Sequence, residues 1–148
     1  MKVKIKKLHP YAIVPTYGTS GAACFDLYAI EVHPCGHVVS DGVPITFRTG
    51  LAFEVPQGHV MLVYSRSGHG FKHDTRLANC VGVIDSDYRG EVMVRLTRDS
   101  ADSFLYQAQN GDRIAQAMIV PINQVSFDVV DELGDTDRGE GGFGSTGS

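Results

Sequence analysis

Apolar residues recur at every second position along much of this chain. Val3 and Ile5 alternate with Lys2, Lys4 and Lys6, and Leu51, Phe53 and Val55 alternate with Ala52 and Glu54. Val92, Val94 and Leu96 alternate with Met93, Arg95 and Thr97, and Val125, Phe127 and Val129 repeat the pattern near the C-terminus. A period of two places one set of side chains on each face of an extended strand. Glycine and proline punctuate these runs, at Pro34, Gly42, Gly50, Pro56, Gly90 and Pro121 among others. No window of about 12 residues carries a 3.6-residue stripe. One short helix fits after Ser65, in Ser67-Gly-His-Gly-Phe-Lys72. Short strands, frequent turns and no helical spacers predict an all-β antiparallel barrel or sandwich. Strand-like sequence gives way near Asp135, which divides a β domain, residues 1–134, from a glycine-rich segment, 135–148.

The 148 residues make one domain with enough chain for a real core, and 43% hydrophobic and 20% charged content are ordinary for a globular protein. No apolar run approaches the roughly 18 residues of a membrane span, and the N-terminus lacks a signal-peptide core, so no membrane partner is expected. Cys24, Cys35 and Cys80 are odd in number and form no Cys-x-x-Cys pair. A reducing cytosol or nucleus is therefore expected. A net charge of −4 argues against a protein that coats nucleic acid. An acidic protein that takes an anionic ligand must concentrate its arginines or recruit a cation.

Five of the ten residues 139–148 are glycine. Ordering a backbone costs roughly 1–2 kcal/mol per residue, so this tail is expected to be mobile without a ligand. Its N–H groups can line an oxyanion concavity. Arg138, Ser145 and Thr146 add phosphate donors, and Phe143 adds a stacking face. No Gly-Lys-Ser/Thr occurs, so it is not a Walker loop.

Val81–Ile84 and Glu91–Leu96 read as two strands joined through Asp85-Ser-Asp-Tyr-Arg-Gly90. Asp, Ser and Gly suit a plain polar hairpin turn. A carboxylate at a strand end can also orient and deprotonate a water. Spacing does not choose between Asp85 and Asp87, which share a face in an extended chain. Ser65-Arg-Ser-Gly68 suits phosphate contact but is common in loops. Gly111-Asp-Arg-Ile-Ala-Gln116 reads as a strand start with Asp112 and Arg113 paired at its mouth. Asp26, in an apolar stretch, needs a protein partner or a cation. His69 and His73 stand four apart without a third ligand, which argues against zinc. Cys80 reads as a small apolar core residue in a strand.

In order and spacing, Ala22-Ala-Cys-Phe-Asp-Leu-Tyr28, Ser65–Gly68, Asn79–Val92, Gly111–Gln116 and Arg138–Gly147 resemble the trimeric dUTP pyrophosphatase (dUTPase) family. The resemblance implies a jelly-roll-like β subunit, a homotrimer with active sites shared between subunits, and a flexible C-terminal arm. It implies Mg²⁺-dependent hydrolysis of dUTP to dUMP and pyrophosphate, which keeps uracil out of DNA and supplies dUMP for dTMP synthesis. Asp85 is then the general base, and Asp87 a structural turn residue. Tyr88 packs under the deoxyribose, and Asn79 with the backbone of Gly82, Val83 and Ile84 reads the uracil edge. Arg66, Ser67, Gly68 and Gln116 contact phosphates, and Asp26 holds Mg²⁺ through water. The tail closes as a lid, with Phe143 over the uracil and Arg138, Gly144, Ser145 and Thr146 near the phosphates. A cytoplasmic location, or a host cytoplasm or nucleus for a viral protein, goes with that chemistry.

Three positions depart from the family pattern. Ser65 stands where proline is usual, Cys24 where glycine is common, and His69 where an aliphatic residue is usual; the first and third are expected to loosen the phosphate loop. Two other functions fit the same fold: a dCTP deaminase-like enzyme, which needs a different acid–base set, and a regulatory protein that senses dUTP without turnover.

Overall fold

The structure is a computed structural model and describes residues 1–31, 37–39, 44–99 and 106–142. Within them lie β1 (Lys4–Lys7), β2 (Phe25–Tyr28), β3 (His37–Val39), β4 (Ile45–Arg48), β5 (Leu51–Glu54) and β6 (His59–Tyr64). A helix, α1 (Ser67–His73), leads to β7 (Thr75–Leu77), β8 (Val81–Ile84), β9 (Met93–Arg98), β10 (Tyr106–Ala108) and β11 (Arg113–Pro121). The main sheet has the order β2-β11-β6-β8, and a three-stranded sheet the order β4-β9-β7. The pairs β1-β5 and β10-β3 complete the strand set, and every pairing among the described residues is antiparallel. The all-β expectation holds, as does the single short helix.

The alternation in the sequence becomes two-faced strands. On β9, Val94 and Leu96 are buried while Met93 and Arg95 face out. On β2, Phe25 and Leu27 are buried beside half-buried Asp26 and Tyr28. Leu27, Leu51, Met61, Leu77, Leu96 and Ile114 are fully enclosed in one core cluster. Burying each such side chain contributes roughly 1.5–3 kcal/mol, which fixes the sheets against each other and gives the site a rigid platform.

Three expectations change. Val125, Phe127 and Val129 alternate as a strand would, yet they are exposed and residues 122–130 form no strand. Cys80 is not in the core: it is exposed, in a turn after β7, with φ of 62°. The apolar runs around Asp85–Gly90 are not the arms of a hairpin, because β8 pairs with β6 and β9 pairs with β4 and β7. The bend therefore carries the chain from one sheet to the other.

Candidate active site

Because β8 and β9 belong to different sheets, a cleft of about 530 Å³ opens between them. Leu77, Asn79, Gly82, Val83, Ile84 and Met93 line it. Among the described residues β8 is the edge of its sheet, so one side of its backbone has no strand partner there and can hydrogen-bond a ligand. A side chain at Gly82 would crowd its cross-strand neighbour Val63. A Cβ at that position would lie 3.1 Å from Val63 Cβ and 3.8 Å from Asn79 Nδ2. Apolar walls, one side-chain amide and a free strand edge suit a flat ring with a polar rim.

At the end of β8 the chain turns through Asp85, with the Tyr88 N–H donating to the Asp85 carbonyl at 3.2 Å. The turn separates Asp85 from Asp87, so the two do not share the face of an extended chain. Asp85 and Tyr88 line one small cleft with Val83, Ile84 and Met93. The Tyr88 hydroxyl donates to the Glu91 carbonyl at 3.0 Å. Its ring lies over Gly90, where a Cβ would come within 2.4 Å of the phenol oxygen. Sequence reasoning overlooked Gly90 as a site residue. Its signal was present, since a glycine two positions after an aromatic in a turn permits close approach of that ring.

Ser65, Arg66 and Ser67 line a separate cleft of about 570 Å³ with Gln116, Gly70 and Asp74. Gly68 lies in the first turn of α1. Gln116 Nε2 donates to the Ser65 carbonyl at 2.9 Å, and the Leu77 N–H donates to Ser65 Oγ at 2.9 Å. Serine in place of proline thus ties the loop to β7 instead of loosening it. His69 is buried against Tyr106, with ring centroids 4.3 Å apart, and also anchors this end.

Asp26 has protein partners. Arg66 Nε reaches Oδ1 at 3.0 Å and Arg113 Nη1 reaches Oδ2 at 3.3 Å. The expected Asp112–Arg113 pair is replaced, as Asp112 Oδ2 accepts from the Gln109 N–H at 2.8 Å. No group of three or more His, Cys, Asp or Glu able to hold a metal occurs among the described residues. Arg138 Nε donates to the Gly141 carbonyl at 2.7 Å, a contact within the tail itself. Phe143, Gly144, Ser145 and Thr146 lie outside the described residues.

The two clefts sit at opposite ends of β6. Met61 pairs with Ile84 and Tyr64 with Val81. Asp85, one step beyond the Ile84–Met61 pair, is therefore level with Val60 near the start of β6, while Ser65–Ser67 follows its other end, about 15 Å away by strand rise.

An edge-strand cleft beside a carboxylate and a tyrosine belongs to the class of sites that can take a flat polar ring next to an acid–base group. Comparison with known proteins narrows that class. The dUTPase family model matches residues 10–147, and the chain belongs to the dUTPase family. The deoxyuridine 5'-triphosphate nucleotidohydrolase of Nautilia profundicola is 46% identical over 147 residues, covering 99% of each chain. The dUTPase of Staphylococcus bacteriophage 80alpha, solved with dUPNHPP, is 26% identical with a TM-score of 0.84, covering 99% of each chain. A mutant dUTPase from phage phi11 of S. aureus, which coordinates a structural Mg(II) ion, shares the fold at 22% identity and a TM-score of 0.77. That alignment covers 91% of this chain and all of the other.

Proposed function

We propose that this protein hydrolyses dUTP to dUMP and pyrophosphate, in a homotrimer whose active sites combine residues of different subunits. The observation that carries the reading is the cleft along β8, which shares Val83, Ile84 and Met93 with the small cleft at Asp85 and Tyr88. Uracil fills this cleft, hydrogen-bonded by the Asn79 amide and the backbone of Gly82, Val83 and Ile84. The deoxyribose rests on the Tyr88 ring, where a 2′-hydroxyl has no room. This brings the α-phosphorus to Asp85. There the carboxylate takes a proton from water as the water oxygen attacks phosphorus, and the bond to the bridging oxygen of the leaving pyrophosphate breaks.

The same pose sends the β- and γ-phosphates away from Tyr64, so the Ser65–Ser67 loop of the same chain lies behind the uracil. A second copy supplies Arg66, Ser67, Gly68 and Gln116 to that triphosphate. Association also gives the exposed Val125, Phe127 and Val129 an apolar surface to cover. Arg138, Phe143, Gly144, Ser145 and Thr146 close over the bound nucleotide and exclude water.

Mg²⁺ fits the donor set as a hydrated ion carried mainly by phosphates, since one half-buried carboxylate beside two guanidiniums is not a protein cage. Asp26 would hold its water ligands. The ion supplies charge neutralisation on the triphosphate.

Mixing the purified protein with Mg²⁺ and, separately, dUTP, dCTP, dTTP and UTP tests this reading. Chromatography should show dUTP alone converted to dUMP and pyrophosphate. Conversion of dCTP, or tight dUTP binding without turnover, would overturn it in favour of a deaminase or a sensor.

A further inference from the structure

Residues 85–92 belong to no strand, yet they carry the carboxylate and ring on which the proposed chemistry depends. Within the turn, bonds are local: Tyr88 N–H to the Asp85 carbonyl, and Arg89 Nη1 to the carbonyls of Ser86 and Tyr88. What holds this turn to the sheets is its C-terminal limb. There Glu91 places a half-buried carboxylate against three donors. Its Oε1 accepts the Gly50 N–H at 2.8 Å, and its Oε2 accepts Arg48 Nε at 3.0 Å and Nη2 at 2.9 Å. Arg48 is itself held from behind by Glu31, which also pairs with His9 Nε2 at 2.8 Å. Next to this clamp, Thr49 Oγ1 donates to the Val92 carbonyl at 2.6 Å, and the Val92 N–H donates to the Leu51 carbonyl at 2.9 Å.

Glu91 lines the same small cleft as Asp85 and Tyr88, and the clamp reaches the Tyr88 ring by a hydrogen bond. The Glu91 carbonyl oxygen accepts the Tyr88 hydroxyl at 3.0 Å. The chain of contacts therefore runs from Arg48 and Gly50 to the Glu91 side chain, from the Glu91 carbonyl to the Tyr88 phenol, and from the Tyr88 N–H to the Asp85 carbonyl. We propose that Glu91, clamped by Arg48, is a positioning residue that fixes the tilt of the Tyr88 ring and the aim of Asp85. This inference rests on the dUTP-hydrolysing reading above. Charge-assisted bonds to a half-buried carboxylate suit the task, because they are shorter and stronger than neutral ones.

The test is a double-mutant cycle on the full chain. Glu91→Gln keeps the size and an acceptor for Gly50 while removing the charge that holds Arg48. Tyr88→Phe removes the hydroxyl that reads Glu91. Both variants and the double variant are assayed with dUTP and UTP, with melting curves alongside. Glu91→Gln should lower kcat for dUTP about tenfold and shift KM by less than about twofold, since misplacement of this kind costs rate more than binding. It should also reduce dUTP/UTP selectivity. The double variant should be no worse than the worse single variant, because both act through one contact. Multiplying losses, or wild-type kcat and selectivity in Glu91→Gln, would overturn the proposal. Arg48→Gln, at an exposed side chain, carries the same criteria if Glu91→Gln fails to fold. A wild-type protein that makes no dUMP would instead overturn the functional reading; dUMP formation with an indifferent Glu91→Gln removes only the role of Glu91.

Discussion

The two ends of β6 carry two half-sites of different construction. At the Met61 end, Asp85 and Tyr88 sit on a turn outside the strands, held by the Glu91 clamp and by one edge strand. At the Tyr64 end, Ser65–Ser67 is bound into the fold from several sides, by Leu77, Gln116 and Asp26. The first end presents a carboxylate to water, and the second presents a guanidinium and hydroxyls to phosphate. Each is held by several bonds, but they lie toward opposite ends of one strand. A single chain thus holds these described side chains in two separate places, and the proposed function needs a second copy to bring them into one site.

The largest effect expected tests this division directly. Asp85→Asn should lose roughly 10²–10⁴ in kcat while still binding dUTP, as expected when a general base is removed. Arg66→Ala should also be severely impaired. Neither variant alone recovers, but co-refolding them in equal amounts should restore about one quarter of wild-type activity, because a quarter of the shared sites then pair an intact Asp85 with an intact Arg66. No recovery on mixing would mean that both residues of a working site come from the same chain.

Period-two alternation identified β1, β5 and β9, most cleanly β9, whose inward and outward residues alternate in burial. It misled where an apolar residue lies outside the strands and their core. Val125, Phe127 and Val129 carry a strand's pattern but belong to no strand among the described residues and are exposed. Cys80 looked like a small apolar residue within a strand, yet it has a left-handed backbone and is exposed in the bend after β7. The supposed hairpin failed for a different reason. Which partner a strand takes is set by the whole sheet, and the pairing of Ile84 with Met61 leaves no trace in local sequence. The clamp was invisible on the same grounds, as Arg48 and Glu91 are 43 residues apart. Asp26 was legible only halfway: its need for a partner followed from burial, but the two arginines come from 40 and 87 residues away.

Gly90→Ala sharpens the contrast at the Asp85 end. The new Cβ would sit 2.4 Å from the Tyr88 hydroxyl oxygen, so the phenol must swing and release the Glu91 carbonyl. Because the obstructing atom is the far end of a side chain, the fold should survive. The variant should melt close to wild type, with kcat/KM for dUTP about tenfold lower and UTP rejection weakened. Unchanged selectivity would show that Tyr88 does not set the discrimination between sugars.

The smallest effect belongs to the other end of β6, where acid should act through His69. Burial first, and then the Arg66 guanidinium and His73, push its pKa down to about 4, against the opposing field of Asp112. The folded protein therefore prefers the neutral ring, whose Nδ1 has no hydrogen-bond partner. The unfolded chain titrates this residue near the ordinary pH of about 6.5 and binds more protons between the two values, so stability falls as pH drops through that window. The contribution is complete above pH ~6.5 and gone below pH ~4, a loss of at most about 3 kcal/mol. His69→Leu removes the titrating group and fills the same apolar space against Tyr106. Denaturant unfolding of both proteins at pH 7 and pH 4.5 should show the wild type losing more stability than the variant over that interval, with m-values unchanged. Equal losses would show that His69 is not held neutral, and that acid sensitivity does not distinguish the phosphate-loop end of β6 from the Asp85 end.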